Sequence, residues 1–258
     1  MTLCAVMLAL GLFGSRSPVD RTNVVNVVLW GGQSNANGLN TNTYAATSTY
    51  TGAQVGVWLM DGRNNLGAGD CPGLSWAKPN QRTSGELALA SRLLQYFGTN
   101  NSAIVASAVP GTSLAVDWVA GSPTRNAFYS AANSIRYQFP NAQFVGMVWV
   151  QGEADASDLT RANAYSVNVT SFFAHVRSTL GVTNLPVAVY RLHTNETDTY
   201  AATVRTAQNN ATNLWRVGII NVDDQTMIDG QHLDRAGQDA LGLRAFDILT
   251  NFWSISIP

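Results

Sequence analysis

Apolar runs rich in β-branched residues recur along the chain at residues 23–30, 103–109, 144–150, 186–192 and 215–222. Runs that stay apolar at consecutive positions, without alternating, are what strands buried on both faces of a sheet require. Between them lie segments with helical spacing. Residues 86–94 follow Thr83, so Thr83 and Glu86 match a capping box that opens a helix. Residues 127–137, 162–180 and 198–213 read as further helices. Residues 234–252 carry Leu241, Ala245, Ile248 and Phe252 at three- and four-residue steps, one buried stripe, with Asp234 as the N-cap. This alternation predicts an α/β chain: a three-layer α/β/α sandwich around a central, mainly parallel five-stranded sheet.

One stretch does not fit the alternation. Residues 40–80 show little periodicity and many Gly, Asn, Thr and Ser, and they are too long for an ordinary connector. Segments of that kind often form the wall or lid of a site. Nothing in the middle of the 258-residue chain reads as a linker, so residues 21–258 are expected to form a single domain. Residues 4–14 are apolar enough for a signal-peptide core and too short to span a bilayer. No Lys or Arg precedes them, and the small-x-small exit at Ser15-Arg16-Ser17 runs into Pro18. Residues 1–20 are therefore read either as a cleaved leader of an exported protein or as a short packing helix or poorly ordered end.

Composition narrows the function classes. With 46% hydrophobic and 12% charged residues the chain forms a core. A net charge of -1 lacks the basic excess that phosphate backbones demand, which argues against a nucleic-acid partner. No stretch supports stable membrane insertion. Cys4 and Cys71 are the only cysteines, and loss of the leader would leave Cys71 without an intrachain partner. His175, His193 and His232 lack metal-ligand spacing, so no zinc site is expected.

The candidate chemistry sits where apolar runs end. The first run delivers Ser34 into a turn, Gly31-Gly32-Gln33-Ser34-Asn35, whose glycines allow a sharp bend and leave space beside a nucleophilic hydroxyl. Taken alone, a serine in such a turn is usually just a turn former. Pro110-Gly111-Thr112-Ser113 follows the second run and Gln151-Gly152-Glu153-Ala154-Asp155 the third, while Asp229-Gly230-Gln231-His232 comes after the fifth. In open α/β sheets the carboxyl edge of the strands is where ligands bind, so residues far apart in sequence can converge there. Asp229 and His232 stand three residues apart, where a carboxylate can reach an imidazole.

These four blocks, in this order, resemble those of the SGNH hydrolase superfamily, in particular its sialate O-acetylesterase-like branch and carbohydrate esterase family 6. The resemblance implies an SGNH/flavodoxin-like fold and a serine esterase, which needs neither a metal nor an organic cofactor. Ser34 would be the nucleophile and His232 the base. Asp229 is the acid favoured by its spacing, and Glu153 is the alternative or supporting acid. The backbone amides of Ser34 and Gly111 and the side-chain amide of Gln151 would form the oxyanion hole. Trp118 is read as a substrate-binding wall, with cover over the sheet edge as its alternative, and Trp58 and Trp76 are read the same way. Asn35 and Trp149 are read as scaffold. His193 and His175 are placed at a strand end and on a helix face.

The resulting expectation is an enzyme that removes acetyl or other short acyl groups from an acetylated carbohydrate through an acyl-enzyme. A glycan-binding or adhesion module with this fold and little turnover is the alternative. A lipase-like esterase is a second rival, disfavoured by the polar composition of residues 40–80. The sequence leaves the sugar, the acyl position and the oligomeric state open.

Overall fold

A computed structural model describes residues 24–40, 50, 54–62, 73–77 and 82–253. The leader segment, Cys4, Cys71 and the side chains of Trp76 and Thr83 lie outside the described residues.

The first apolar run forms β1, Val25–Gly32, and its side chains are almost all buried. It occupies the middle of the sheet, paired in parallel with β6, Ser102–Ala108, on one side and β7, Ala142–Val150, on the other. Beyond β7 follow β8, Val187–Tyr190, and β9, Val217–Ile220, both parallel. These are the five strands that the apolar runs predict. The sheet is wider by two more, β3, Gln54–Asp61, and β4, Gly73–Ala77, from the stretch read as loop. β3 lies parallel to β6 and β4 closes the edge antiparallel to β3. The order across the sheet is β4-β3-β6-β1-β7-β8-β9. Two short strands, β2, Leu39–Asn40, and β5, Arg82–Thr83, pair apart from it.

Helices cover both faces. α1, Ser34–Asn37, is a single turn. α2, Glu86–Phe97, and α7, Arg235–Trp253, pack together on one face. On the other face lie α3, Pro123–Gln138, and α5, Leu159–Leu180, followed by α6, Ala201–Asn210; α4, Glu153–Ala156, is a short turn that leads into α5. The N-cap of α2 is Gly85, two residues beyond the Thr83 expected there, and the Glu86 carboxylate takes the amide of Ser84 at 2.7 Å. Asp234 does cap α7, its Oδ1 accepting from the Gly237 amide at 2.7 Å. Where α2 and α7 cross, a side chain on Gly242 would collide with the Gly85 carbonyl, so the two backbones touch.

The connections that follow β1 and β6 run to opposite sides of the sheet. The chain goes from β1 outward to β3 and the edge strand β4, returns to β6, then crosses to β7, β8 and β9 on the other side. The crevice opened by such a reversal lies at the carboxyl ends of β6, β1 and β7. The residues following all three strands meet there. No helix among the described residues is long and apolar enough to cross a membrane.

Candidate active site

Gly32 ends β1 with φ +144°, and a Cβ there would collide with the Val150 carbonyl. Only glycine permits that approach. The Gln33 amide then bonds Val150 O at 2.9 Å while the Gly32 carbonyl accepts from the Val109 amide at 3.1 Å, wedging the turn between the ends of β6 and β7. Trp30 Nε1 reaches Ala36 O at 2.9 Å and Asn37 Nδ2 reaches Ala108 O at 2.9 Å, closing α1 over the strand end. Ser34, at the start of α1, is half-buried, and neither its amide nor its hydroxyl bonds another described residue.

The histidine turn is built locally. A bridge between Met227 and Leu233 pinches residues 228–232 into a loop, with the Ile228 amide on the His232 carbonyl at 2.8 Å. Inside it Asp229 Oδ2 lies 2.7 Å from His232 Nδ1, and Asp229 Oδ1 accepts from the amides of Gln231 at 3.0 Å and His232 at 2.8 Å. Partial burial pushes the Asp229 carboxyl up, but the His232 ring and these two amides outweigh it and hold it below the usual aspartate value. The loop is clamped from outside by Thr197, whose amide bonds Gly230 O at 3.1 Å, and by Asp198, which accepts from Gln231 Nε2 at 2.9 Å.

Asn35 joins the two turns. Its Nδ2 donates to Gln231 O at 2.9 Å, and its Oδ1 accepts from the Leu233 amide at 3.1 Å. His232 thus sits between two backbone groups held by the side chain that directly follows Ser34. The same Nδ2 donates to Glu153 Oε1 at 2.7 Å. Glu153 is buried; desolvation raises its pKa, against the pull of its own amide, Asn35 and His232. Its other oxygen has no hydrogen-bond partner among the described residues. Glu153 therefore reaches the histidine turn through Asn35, whereas Asp229 touches the imidazole directly.

The third wall is the loop after β6. Gly111 is exposed at the bend, and its amide makes no bond to a described residue. Behind it, Asp155 Oδ2 accepts from the Leu114 amide at 2.7 Å and Asp155 Oδ1 from the Ala115 amide at 3.2 Å. Gln151 Nε2 donates to Asp155 Oδ2 at 2.6 Å and lies 3.2 Å from Thr112 O and 3.3 Å from Gln33 Oε1.

Two sequence-based assignments change here. Gln151 is wholly buried and its amide protons are committed to Asp155 and the Thr112 and Gln33 oxygens, so the side chain braces the site from below and does not face it as an oxyanion donor. Trp118 is not a substrate wall. Only 1% exposed, it donates from Nε1 to Thr112 Oγ1 at 3.0 Å and packs edge-on against Trp149 with centroids 4.8 Å apart. Phe128 and Phe172 complete that aromatic floor. His193 is buried on Gln225 O and the Asn195 amide, and His175, on α5, stands beside Tyr129 of α3; among the described residues neither bonds Asp229 or His232. The sequence reading passed over Gln33, whose Oε1 accepts from the Ala154 amide at 3.2 Å, and the Thr197–Asp198 clamp. Gln33 lies inside a recognised block and could have been singled out; nothing local marks the clamp.

Among the described residues no group of three or more His, Cys, Asp or Glu side chains is arranged to hold a metal ion. The arrangement consists of a serine hydroxyl and two backbone amides that bond no other described residue, and an imidazole with a carboxylate on Nδ1.

Residues 24–251 match the family model described as carbohydrate esterase, sialic acid-specific acetylesterase. Among solved structures, a protein from Arabidopsis thaliana is similar with TM-score 0.74 and 18% identity, over 88% of this chain and 98% of that one. NanS is similar with TM-score 0.71 and 14% identity, over 90% of this chain and 98% of that one. A carbohydrate acetylesterase from Xanthomonas citri is similar with TM-score 0.67 and 18% identity, over 88% of this chain and 56% of that one. No curated protein sequence matches the chain.

Proposed function

Because the chain belongs to the carbohydrate esterase family of sialic acid-specific acetylesterases, and is thereby a carboxylic ester hydrolase, we propose that it removes acetyl groups from an acetylated carbohydrate by a serine acyl-enzyme route. Ser34 Oγ attacks the acetyl carbonyl while His232 takes the hydroxyl proton. With Asp229 on Nδ1, Nε2 is the ring nitrogen left for that transfer. The carboxylate fixes the tautomer and stabilises the imidazolium. The amides of Ser34 and Gly111 receive the developing oxyanion. Collapse expels the sugar oxygen, which His232 protonates, and water activated by the same imidazole then releases acetate from the serine. No metal or organic cofactor takes part in this route.

The observation that carries this reading is the Asp229–His232 pair held on the backbone beside Ser34 by Asn35. The test is hydrolysis of p-nitrophenyl acetate, butyrate and octanoate, acetylated xylan and O-acetyl sialic acid by the native protein and by Ser34→Ala. Turnover of acetyl substrates that vanishes in the variant is expected. Binding of the sugars without turnover would instead favour a glycan-binding module. Faster cleavage of octanoate than of acetate would favour a lipase-like enzyme.

A further inference from the structure

We propose that Asn35 is a positioning residue whose side chain, bonded on either side of His232, sets the separation of Ser34 from the His232–Asp229 dyad, while Thr197 and Asp198 hold the outer side of the same loop; this rests on the acyl-transfer reading given above. The dyad is internally rigid, because both partners lie on one turn. That rigidity fixes the orientation of acid to base and leaves the distance to the nucleophile undetermined. Ser34 belongs to a turn locked to the ends of β6 and β7, while His232 hangs on a loop between β9 and α7. Asn35 spans the gap. An amide side chain offers two donated protons and one oxygen that accepts twice. Here all four are used: Glu153 Oε1 and Gln231 O accept, and the Leu233 amide and Gln238 Nε2 donate.

The two bonds to the histidine turn fall on either side of His232, so they resist both translation and twist of that residue. The other two anchor the strut itself. Gln238 is held in turn by Ser84, whose hydroxyl lies 2.9 Å from Gln238 Oε1 and 2.6 Å from the Asn35 carbonyl. Asn35 is 0% exposed, so water cannot substitute for a lost partner. A misplacement of about 1 Å between reacting groups can cost roughly 10² in rate, which is the scale on which this side chain acts.

The test uses the full chain with p-nitrophenyl acetate and a serine-directed phosphonate. Asn35→Asp keeps the shape and both accepted bonds and turns the two donated ones into repulsions. It should lower kcat by about 10²-fold with KM within about twofold, and lower Tm. In the double variant Asn35→Asp/Glu153→Gln, the new amide at 153 can donate to the new carboxylate at 35. Tm should recover while kcat stays low, because the carboxylate still faces Gln231 O. Gln238→Ala removes a bond that does not touch the histidine turn and should lower Tm with kcat within about threefold. Asn35→Ser, which withdraws the reach without adding charge, should reproduce the kcat loss if the aspartate variant does not fold. The proposal is overturned if kcat follows Tm back up in the double variant, if Gln238→Ala costs as much rate as the Asn35 variants, or if those variants keep normal kcat. A native protein with no turnover and no phosphonate label at Ser34 would sink the acyl-transfer reading itself, a different result from active native protein with indifferent variants.

Discussion

Asp229 Oδ2 meets His232 Nδ1 at 2.7 Å within one turn, whereas Glu153, on the far side of Asn35, meets the same loop only through a neutral amide. Two carboxylates thus flank one histidine in unlike states. Asp229 is half exposed and held below the usual aspartate range, and Glu153 is buried and pushed up by desolvation.

That asymmetry predicts the outcome of amide substitution. Asp229→Asn should cut kcat by several orders of magnitude, with roughly 10⁴ known for this change in another triad, and leave KM and Tm near native. Glu153→Gln keeps an oxygen for Asn35 and should lose little rate. Kinetics and melting curves of the two variants side by side check this; a dead Glu153→Gln beside an active Asp229→Asn would reverse the assignment.

Ser34→Ala should leave the fold intact, since its hydroxyl holds no bond to a described residue. Turnover should drop to what binding and the oxyanion donors supply, roughly 10³–10⁴ over water in related constellations. Peptide mapping of a phosphonate adduct should find the label on Ser34 in the native protein and no label in the variant.

Gln151→Ala is expected to act on stability before chemistry. It strips the 2.6 Å donor from Asp155, a carboxyl already raised by desolvation and held by the Leu114 and Ala115 amides. Leaving a buried acceptor short of its partner costs about 1–3 kcal/mol. A lower Tm with KM unchanged is the expected result, and an intact Tm with kcat down by about 10²–10³ would restore an oxyanion role.

Glu196 supplies a pH signature. Desolvation, with the charges of Glu153 and Asp198, raises its carboxyl from 4.5 to about 8. Below pH 4.5 it is protonated whether the chain is folded or not, and its full contribution to stability is present. Between that pH and about 8 the unfolded chain ionises while the folded one keeps its proton, so stability falls with rising pH. Tm measured across this window should decline in the native protein and decline less in Glu196→Gln. Equal slopes would remove Glu196 from the account.

Trp118→Phe should lower Tm, since it opens space in the aromatic floor and removes the donor to Thr112 Oγ1, which keeps only its bond to Val109 O, without moving KM for any acetylated sugar. A selective KM change would return Trp118 to the substrate wall.

Most of the sheet was legible because its strands are buried on both faces and read as unbroken apolar runs. β3 was not: its apolar run is only the four residues Val57-Trp58-Leu59-Met60, preceded by Gly56 and set in a long Gly-, Asn- and Thr-rich stretch, and the strand pairs with β6 from Val57↔Ser102 onward. The Asp229–His232 pairing was legible since three residues of spacing fix it locally. The aim of a side chain was not. Gln151 at a strand end and Trp118 beside a polar loop look alike from sequence whether they face the crevice or the core, and Asp155 and Phe172, distant in sequence, decide the matter.

The Asn35 contacts also carry a lesson about time. The strut joins residues 198 positions apart at Leu233, and the central strand it follows pairs with β6 and β7 from much later in the chain. Non-local pairing of this kind is slow to form because long loops must close first. During synthesis the serine turn emerges long before its base exists, so a nascent chain lacking the segment from Asp229 onward carries a nucleophile with nothing to activate it. Esterase activity appearing on the ribosome would therefore date the docking of α7, the last of the described elements to be made.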